Sequence, residues 1–209
     1  KYQNTITQDM EEKIISMYAK GMTTGDIESH MRELYDIEIS DSTISRITDK
    51  ILPIVKEWQE RPLEEIYAVV FMDAIHYHVR HEGRIVKRAV YIAIGIKPNG
   101  HKEVIDYCIA PNENIEVWTE LLQSMKSRGL EQVELFLSDG VVGMKTALAK
   151  TYPQAHFQRC LVHVMRNICA KVRVEDREAI MNEFKQIHQQ ANKAAAVDVL
   201  HAFYAKWDK

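Results

Sequence analysis

Apolar residues recur at helical spacing in the first part of the chain and at strand spacing further on. Met10, Ile14, Ile15, Met17 and Tyr18 make one face of a first helix, which Thr7 can cap and Gly21 ends. Thr23 or Thr24 caps a second, with Ile27, Met31, Leu34 and Tyr35 along one side. A third opens at Ser40-Asp41-Ser42 and runs through Ile44, Ile47, Ile51 and Leu52. Short helices with tight polar turns fit a helix-turn-helix module over residues 1–58, whose third helix exposes Ser42, Thr43, Ser45, Arg46, Thr48 and Lys50. Short hydroxyls and an Arg suit phosphate and base-edge contacts. The acids Asp9, Glu11, Glu12, Glu28, Glu33, Asp36 and Glu38 suit a small helical bundle for protein contact equally well, and these residues alone leave both open. Pro53 and Arg61-Pro62 bracket Trp58 and mark a domain boundary.

Tyr67-Ala68-Val69-Val70-Phe71-Met72 is uncharged until Asp73 and reads as a central strand buried on both faces. The alternation continues to Arg80. His81-Glu82-Gly83-Arg84 makes a turn, Ile85–Ile96 a second strand, Lys97-Pro98-Asn99-Gly100 a second turn, and Val104–Ile109 a third strand. Loops this short make the three strands antiparallel neighbours. A helix follows, capped by Asn112 or Asn114, with Ile115, Trp118, Leu121, Leu122 and Met125 inward and Gly129 as its stop. Val133–Ser138 is a further strand and leads into Asp139; Gly140 and Gly143 let the chain turn sharply into a helix through Met144, Ala147 and Leu148. Ala155-His156-Phe157 is a short strand, a helix starts near Arg159-Cys160, and from Glu175 the pattern is helical.

This order predicts an α/β fold: a mixed five-stranded sheet with flanking helices over residues 63–172, and a helical segment over 173–209. A right-handed crossover sets the first strand beside the fourth, so Asp73 and Asp139 end neighbouring parallel strands. On its own Asp73 reads as a turn cap. Paired with Asp139 it forms an oxygen-only site suited to Mg²⁺ or Mn²⁺ rather than zinc.

Composition adds limits. With 209 residues, 46% hydrophobic and 27% charged, the chain has room for one large or two modest domains. No apolar run spans a bilayer and no signal-peptide pattern opens the chain, so no membrane partner is expected. A start at Lys1 rather than Met is consistent with an excised fragment. Three cysteines suggest a reducing compartment. A net charge of -3 means that any nucleic-acid surface must be local.

The motifs Met72-Asp73-Ala74-Ile75-His76-Tyr77-His78-Val79-Arg80, Leu137-Ser138-Asp139-Gly140 and Gln158-Arg159-Cys160-Leu161-Val162-His163-Val164-Met165-Arg166-Asn167 carry a resemblance. Together with Tyr18–Thr24 and Ser42–Lys50, they resemble the Mutator-type transposases of bacterial insertion sequences over nearly the whole chain. The resemblance implies an RNase H-like catalytic domain with an Asp-Asp-Glu triad. Asp73 and Asp139 would be its first two members, for catalysis and for binding Mg²⁺ or Mn²⁺. The third acid, a Glu, follows a helical insertion in that family. Glu175, Glu178 and Glu183 lie in no such motif, so it is expected beyond Lys209, leaving a truncated and catalytically doubtful chain. Ala74 departs in a minor way from the Gly often found after the first Asp.

The implied chemistry is two-metal phosphoryl transfer, in which DNA ends are cut and the freed 3′-hydroxyl attacks target DNA. The implied partners are double-stranded DNA, as element ends and target, and further copies of the chain. The implied location is the bacterial cytoplasm, at the nucleoid. Arg159 and Arg166 would face phosphate, and Arg80, Arg84, Lys87 and Arg88 cluster around the first hairpin as a further phosphate-contact patch. His76, Cys160 and His163 would support the site; His76 and His78 share one strand face. Cys160-x-x-His163, with His156 and Cys169 near, also invites a zinc reading, for which a single such pair is weak support. The remaining alternatives are another RNase H-like nuclease and a protein that binds DNA without cutting it.

Overall fold

A computed structural model describes residues 7–81, 83–111 and 114–207, with the side chains of Arg80 and His81 outside that description. Asn112 and Glu82 also lie outside the described residues. The chain divides into two compact units, Lys1–Pro62 and Leu63–Lys209.

The first unit contains α1 (Gln8–Ala19), α2 (Thr24–Tyr35), α3 (Asp41–Thr48) and α4 (Leu52–Glu60). Gly21, at φ 91°, takes the left-handed conformation that follows α1. Thr23 and Asp26 form a reciprocal capping box at α2, and the Ser40 hydroxyl accepts from the Thr43 amide at α3. Thr7 stands at the start of α1, but its hydroxyl makes no capping bond. Ile14, Ile27, Met31, Ile39, Ile44 and Ile47 bury together as the core.

Two expectations change here. The third helix stops at Thr48 instead of running through Leu52, because Pro53 has no N–H to give the Asp49 carbonyl one turn back. Leu52 N–H bonds that carbonyl instead, closing a 3₁₀ turn over Asp49–Ile51, and Pro53 sits in the first turn of α4 rather than at a boundary. Thr48 is buried rather than exposed, since it lies one turn after Ile44 on the core face; its hydroxyl donates to the Ser45 carbonyl at 2.8 Å.

The second unit is built on β1 (Ile66–His81), β2 (Arg84–Ile96), β3 (Lys102–Ala110), β4 (Gln132–Ser138) and β5 (His156–Arg159), in the order β3-β2-β1-β4-β5. β1–β2 and β2–β3 are antiparallel; β1–β4 and β4–β5 are parallel. The helices are α5 (Ile115–Ser127), α6 (Met144–Thr151), α7 (Leu161–Lys171), α8 (Arg177–His188) and α9 (Lys193–Trp207). The expected α/β architecture, a mixed five-stranded sheet with flanking helices, is therefore present.

Trp118, Leu121, Leu122 and Met125 of α5 and Met144 and Leu148 of α6 pack with Val70, Met72, Tyr91, Ala93 and Phe136 of the sheet. Trp118 meets Tyr91 edge to face at 4.8 Å between ring centroids. Each such large side chain contributes roughly 1.5–3 kcal/mol on burial. Gly95 sits where any Cβ would overlap the Tyr67 ring, which explains a glycine inside β2. This core takes one face of the sheet, so β1 is not buried on both faces as expected. Side chains alternate along a strand; Val70 and Met72 are covered, whereas Phe71 and Ile75 keep 40% and 52% of their surface exposed.

Asp106, at the buried end of this core, accepts from Arg128 at 2.7 Å, from the Ser124 hydroxyl at 2.9 Å and from the Tyr107 amide at 2.8 Å. The helical stretch expected from Glu175 opens as a 3₁₀ turn at Val174–Asp176 and then breaks into α8 and α9, joined through Phe184 and Phe203. Among the described residues no helix is long and apolar enough to cross a membrane.

Candidate functional site

The last paired residues between β1 and β4 are Met72 and Ser138, so Asp73 and Asp139 follow at the same level on adjacent parallel strands. Neighbouring strands lie about 4.8 Å apart. β1 does not stop there: Asp73 pairs with Ile92 and the strand continues to His81. The Asp73 side chain is 57% exposed and its Oδ1 accepts from the Ala74 amide at 2.9 Å. Asp139 is half-buried in the loop that leaves β4. Cys160 N–H donates to the Ser138 carbonyl at 2.6 Å, tying the end of β5 to the end of β4 beneath this loop.

Gly140 and Gly143, at φ 87° and 88°, turn the chain into α6. Gly140 has a second role that its turn signal did not reveal. A Cβ there would overlap Arg159 Nε and stand 3.0 Å from Arg159 Cδ, so the arginine side chain lies against the bare glycine. The guanidinium reaches the Asp139 carbonyl at 3.5 Å and remains exposed. Gly140→Ala is expected to destabilise the unit by roughly 1–2 kcal/mol, the cost of a left-handed non-glycine residue, and to displace Arg159. A urea melt of the variant checks this, and an unchanged midpoint would refute it.

His163, in the first turn of α7, points Nε2 at Asp73 Oδ1 from 3.9 Å. Its Nδ1 is buried without a hydrogen-bond partner among the described residues. Arg166 lies one turn later on α7 and is exposed. His76 is not brought to Asp73. It is exposed, three residues along β1, and alternation puts it on the opposite face of the strand. His156, Cys160, His163 and Cys169 do not assemble as a metal centre: among the described residues no group of three or more His, Cys, Asp or Glu could hold an ion. The same holds around Asp73 and Asp139, which stand as a pair. Glu175 and Glu178 are exposed. Glu183 is taken up by Lys206 at 2.5 Å and Trp207 Nε1 at 2.9 Å, hydrogen bonds that hold its carboxyl below the usual range.

In the first unit Ser42, Ser45 and Arg46 are exposed on α3. The Ser42 and Thr43 hydroxyls lie 3.0 and 2.9 Å from Ser40 Oγ, within the cap of the helix. Lys50 falls in the 3₁₀ turn, with Nζ 2.6 Å from Glu11 of α1. On the hairpin Arg84 and Lys87 are exposed and Arg88 is half-buried.

A family description, "Transposase, Mutator family", matches residues 1–209. The chain belongs to the Mutator family of transposases. It is 72% identical over 200 residues to the transposase for insertion sequence element IS1201 of Lactobacillus helveticus, covering 96% of this chain and 54% of that one. It is 37% identical over 195 residues to the transposase for ISRM3 of Rhizobium meliloti, covering 93% and 49%. It is 34% identical over 177 residues to the transposase for IS256 in transposon Tn4001 of Staphylococcus aureus, covering 82% and 45%. The chain thus spans about half the length of the curated relatives it matches. Among solved structures, the cryo-EM structure of a simian T-cell lymphotropic virus intasome with PP2A regulatory subunit B56 gamma matches 91% of this chain and 60% of that one, at 9% identity and a TM-score of 0.31. That similarity is too low to carry an argument.

Proposed function

We propose that this chain is the part of an insertion-sequence transposase that carries a helix-turn-helix module and the first two acids of an RNase H-like Asp-Asp-Glu centre. The observation that carries the reading is the alignment of Asp73 and Asp139 at one level on adjacent parallel strands, in a chain of the Mutator family. Both are accessible, both offer only oxygen, and neither is paired with a lysine or arginine side chain among the described residues, a donor set that fits Mg²⁺ or Mn²⁺. Asp73 and Asp139 would hold the ion, and it would supply Lewis-acid polarisation of a phosphodiester and activation of the attacking hydroxyl.

The chain's own residues have separate tasks. The Ala74 amide keeps the Asp73 carboxylate oriented with His163 3.9 Å away, and Gly140 leaves room for Arg159 to set a cation beside Asp139 to meet phosphate. Arg166 extends that cationic edge along α7. The substrates are double-stranded element ends and target DNA, handled by a homo-oligomer at the bacterial nucleoid. Magnesium-dependent cleavage and strand transfer by a protein of the relatives' full length that contains this chain tests the reading, and its absence would overturn it.

Within the helix-turn-helix, α3 is the reading helix. The exposed Ser42, Ser45 and Arg46 read DNA, Thr43 serves mainly as part of the cap, and Lys50 braces α3 against α1. Arg46→Ala is expected to cost roughly 1–3 kcal/mol of binding and to relax sequence preference, provided that it makes a bidentate base contact. Competition binding against unrelated duplexes measures both effects; undiminished preference would remove α3 from the reading role. One observation favours a second reading, DNA binding without cleavage: no third acid joins Asp73 and Asp139 among the described residues.

A further inference from the structure

The hairpin of β1 and β2 outruns the rest of the sheet. β4 pairs with β1 only as far as Met72, and β3 pairs with β2 no further toward the turn than Ala89. Beyond them Tyr77 to His81 and Arg84 to Arg88 pair only with each other, as a two-stranded ribbon that starts four residues past Asp73. From Tyr77 to the turn at Gly83 it reaches roughly 20 Å, at about 3.3 Å per residue.

Its two faces differ. The register sets His78 beside Lys87, with His76 two residues along the same face, and all three are exposed. The opposite face pairs Val79 with Val86, Ile75 with Val90 and Tyr77 with Arg88; Val79, Val86 and Arg88 are half-buried, while Ile75 and Tyr77 are exposed. Between Ala74 and Tyr91 the sequence holds Arg80, Arg84, Lys87, Arg88 and three histidines against the single acid Glu82, within a chain whose net charge is -3. A local excess of positive charge therefore lies where the hairpin extends past its neighbours.

We propose that this ribbon is a DNA arm that lies along a duplex groove, with His76, His78 and Lys87, on the strand face opposite to Asp73, toward the phosphates. The inference rests on the DNA-processing reading above and adds a second contact, roughly six base pairs long, separate from α3. A two-stranded β-ribbon fits the major groove, about 12 Å wide. Lys87 supplies a point charge and the imidazoles supply N–H donors to phosphate oxygens. Such contacts bind without regard to sequence.

The test uses the whole chain and a fluorescent mixed-sequence duplex of about 30 base pairs, titrated from 50 to 200 mM salt. Lys87→Ala is expected to weaken binding evenly across unrelated duplexes and to lower the slope of log affinity against log salt by about 1. The double variant Val79→Thr with Val86→Thr, on the other face, is expected to leave the slope unchanged, and thermal melts check that each variant folds. An unaltered slope and affinity in Lys87→Ala overturns the arm. So does an equal loss from the two valine changes, or tighter binding of a polyglutamate peptide than of the duplex. If Asp73→Asn blocks cleavage while Lys87→Ala leaves binding untouched, only the arm fails. If Lys87→Ala lowers the slope while Asp73→Asn cleaves normally, only the site reading fails.

Discussion

Asn at position 73 or at position 139 is expected to stop magnesium-dependent DNA cleavage, with a loss of about a thousandfold or more. The change preserves side-chain shape and removes only charge. At Asp73 the new amide oxygen can still accept from the Ala74 N–H, so this point of the strand keeps its local bond. What is lost is the anionic oxygen that would hold the ion. Metal polarisation of a phosphoryl group contributes several kcal/mol, and about 1.4 kcal/mol is tenfold in rate. The measurement is cleavage and strand transfer on labelled duplex across a Mg²⁺ titration, by a protein of the relatives' full length that carries each substitution, with a thermal melt as the folding control. Either variant cutting at the wild-type rate would remove that carboxylate from the centre. Cys160→Ala offers a contrast: its backbone amide ties β5 to β4, and its sulfur belongs to no metal cluster among the described residues, so activity should change little.

The second large effect is on stability. Arg128→Met should lower it by roughly 3–5 kcal/mol, because it leaves Asp106 buried without its counter-charge. The paired side chains keep only 9% and 6% of their surface exposed, and Arg128 also donates to the Ile105 carbonyl at 2.9 Å. For a chain of this size the loss corresponds to about 10 °C in melting temperature. The double variant Asp106→Leu with Arg128→Met should recover much of it, since removing both charges leaves neither one stranded. Calorimetry on the single and double variants decides the matter; a single variant melting within about 2 °C of wild type would mean that the pair carries little.

Much of the architecture was legible because local signals agreed with one another. The apolar faces of α5 and α6, the glycines at positions 21, 129 and 140, and the short turns after β1 and β2 all pointed to one arrangement. Family membership was legible for a related reason: the motifs around Asp73, Asp139 and Cys160 stand in a recognisable order. Legibility failed where a residue's environment depends on distant chain. Thr48 looked exposed until α3 packed its face onto the Ile14–Ile27 core. β1 looked buried on both sides because its composition cannot say which face the helices will cover. Lys50 looked free until α1 brought Glu11 to it.

By itself, then, the sequence determined most of the elements, their order and the two acids that follow apolar strand patterns, since periodicity and turn chemistry are local properties. Only the tertiary structure decided that His163 faces Asp73 while His76 does not, and that Gly140 makes room for Arg159. It also decided that the β1–β2 ribbon outruns its neighbours and sorts His78 and Lys87 onto one face. These are facts of register and packing, set by which strands pair and where each pairing stops. No window of the chain contains them.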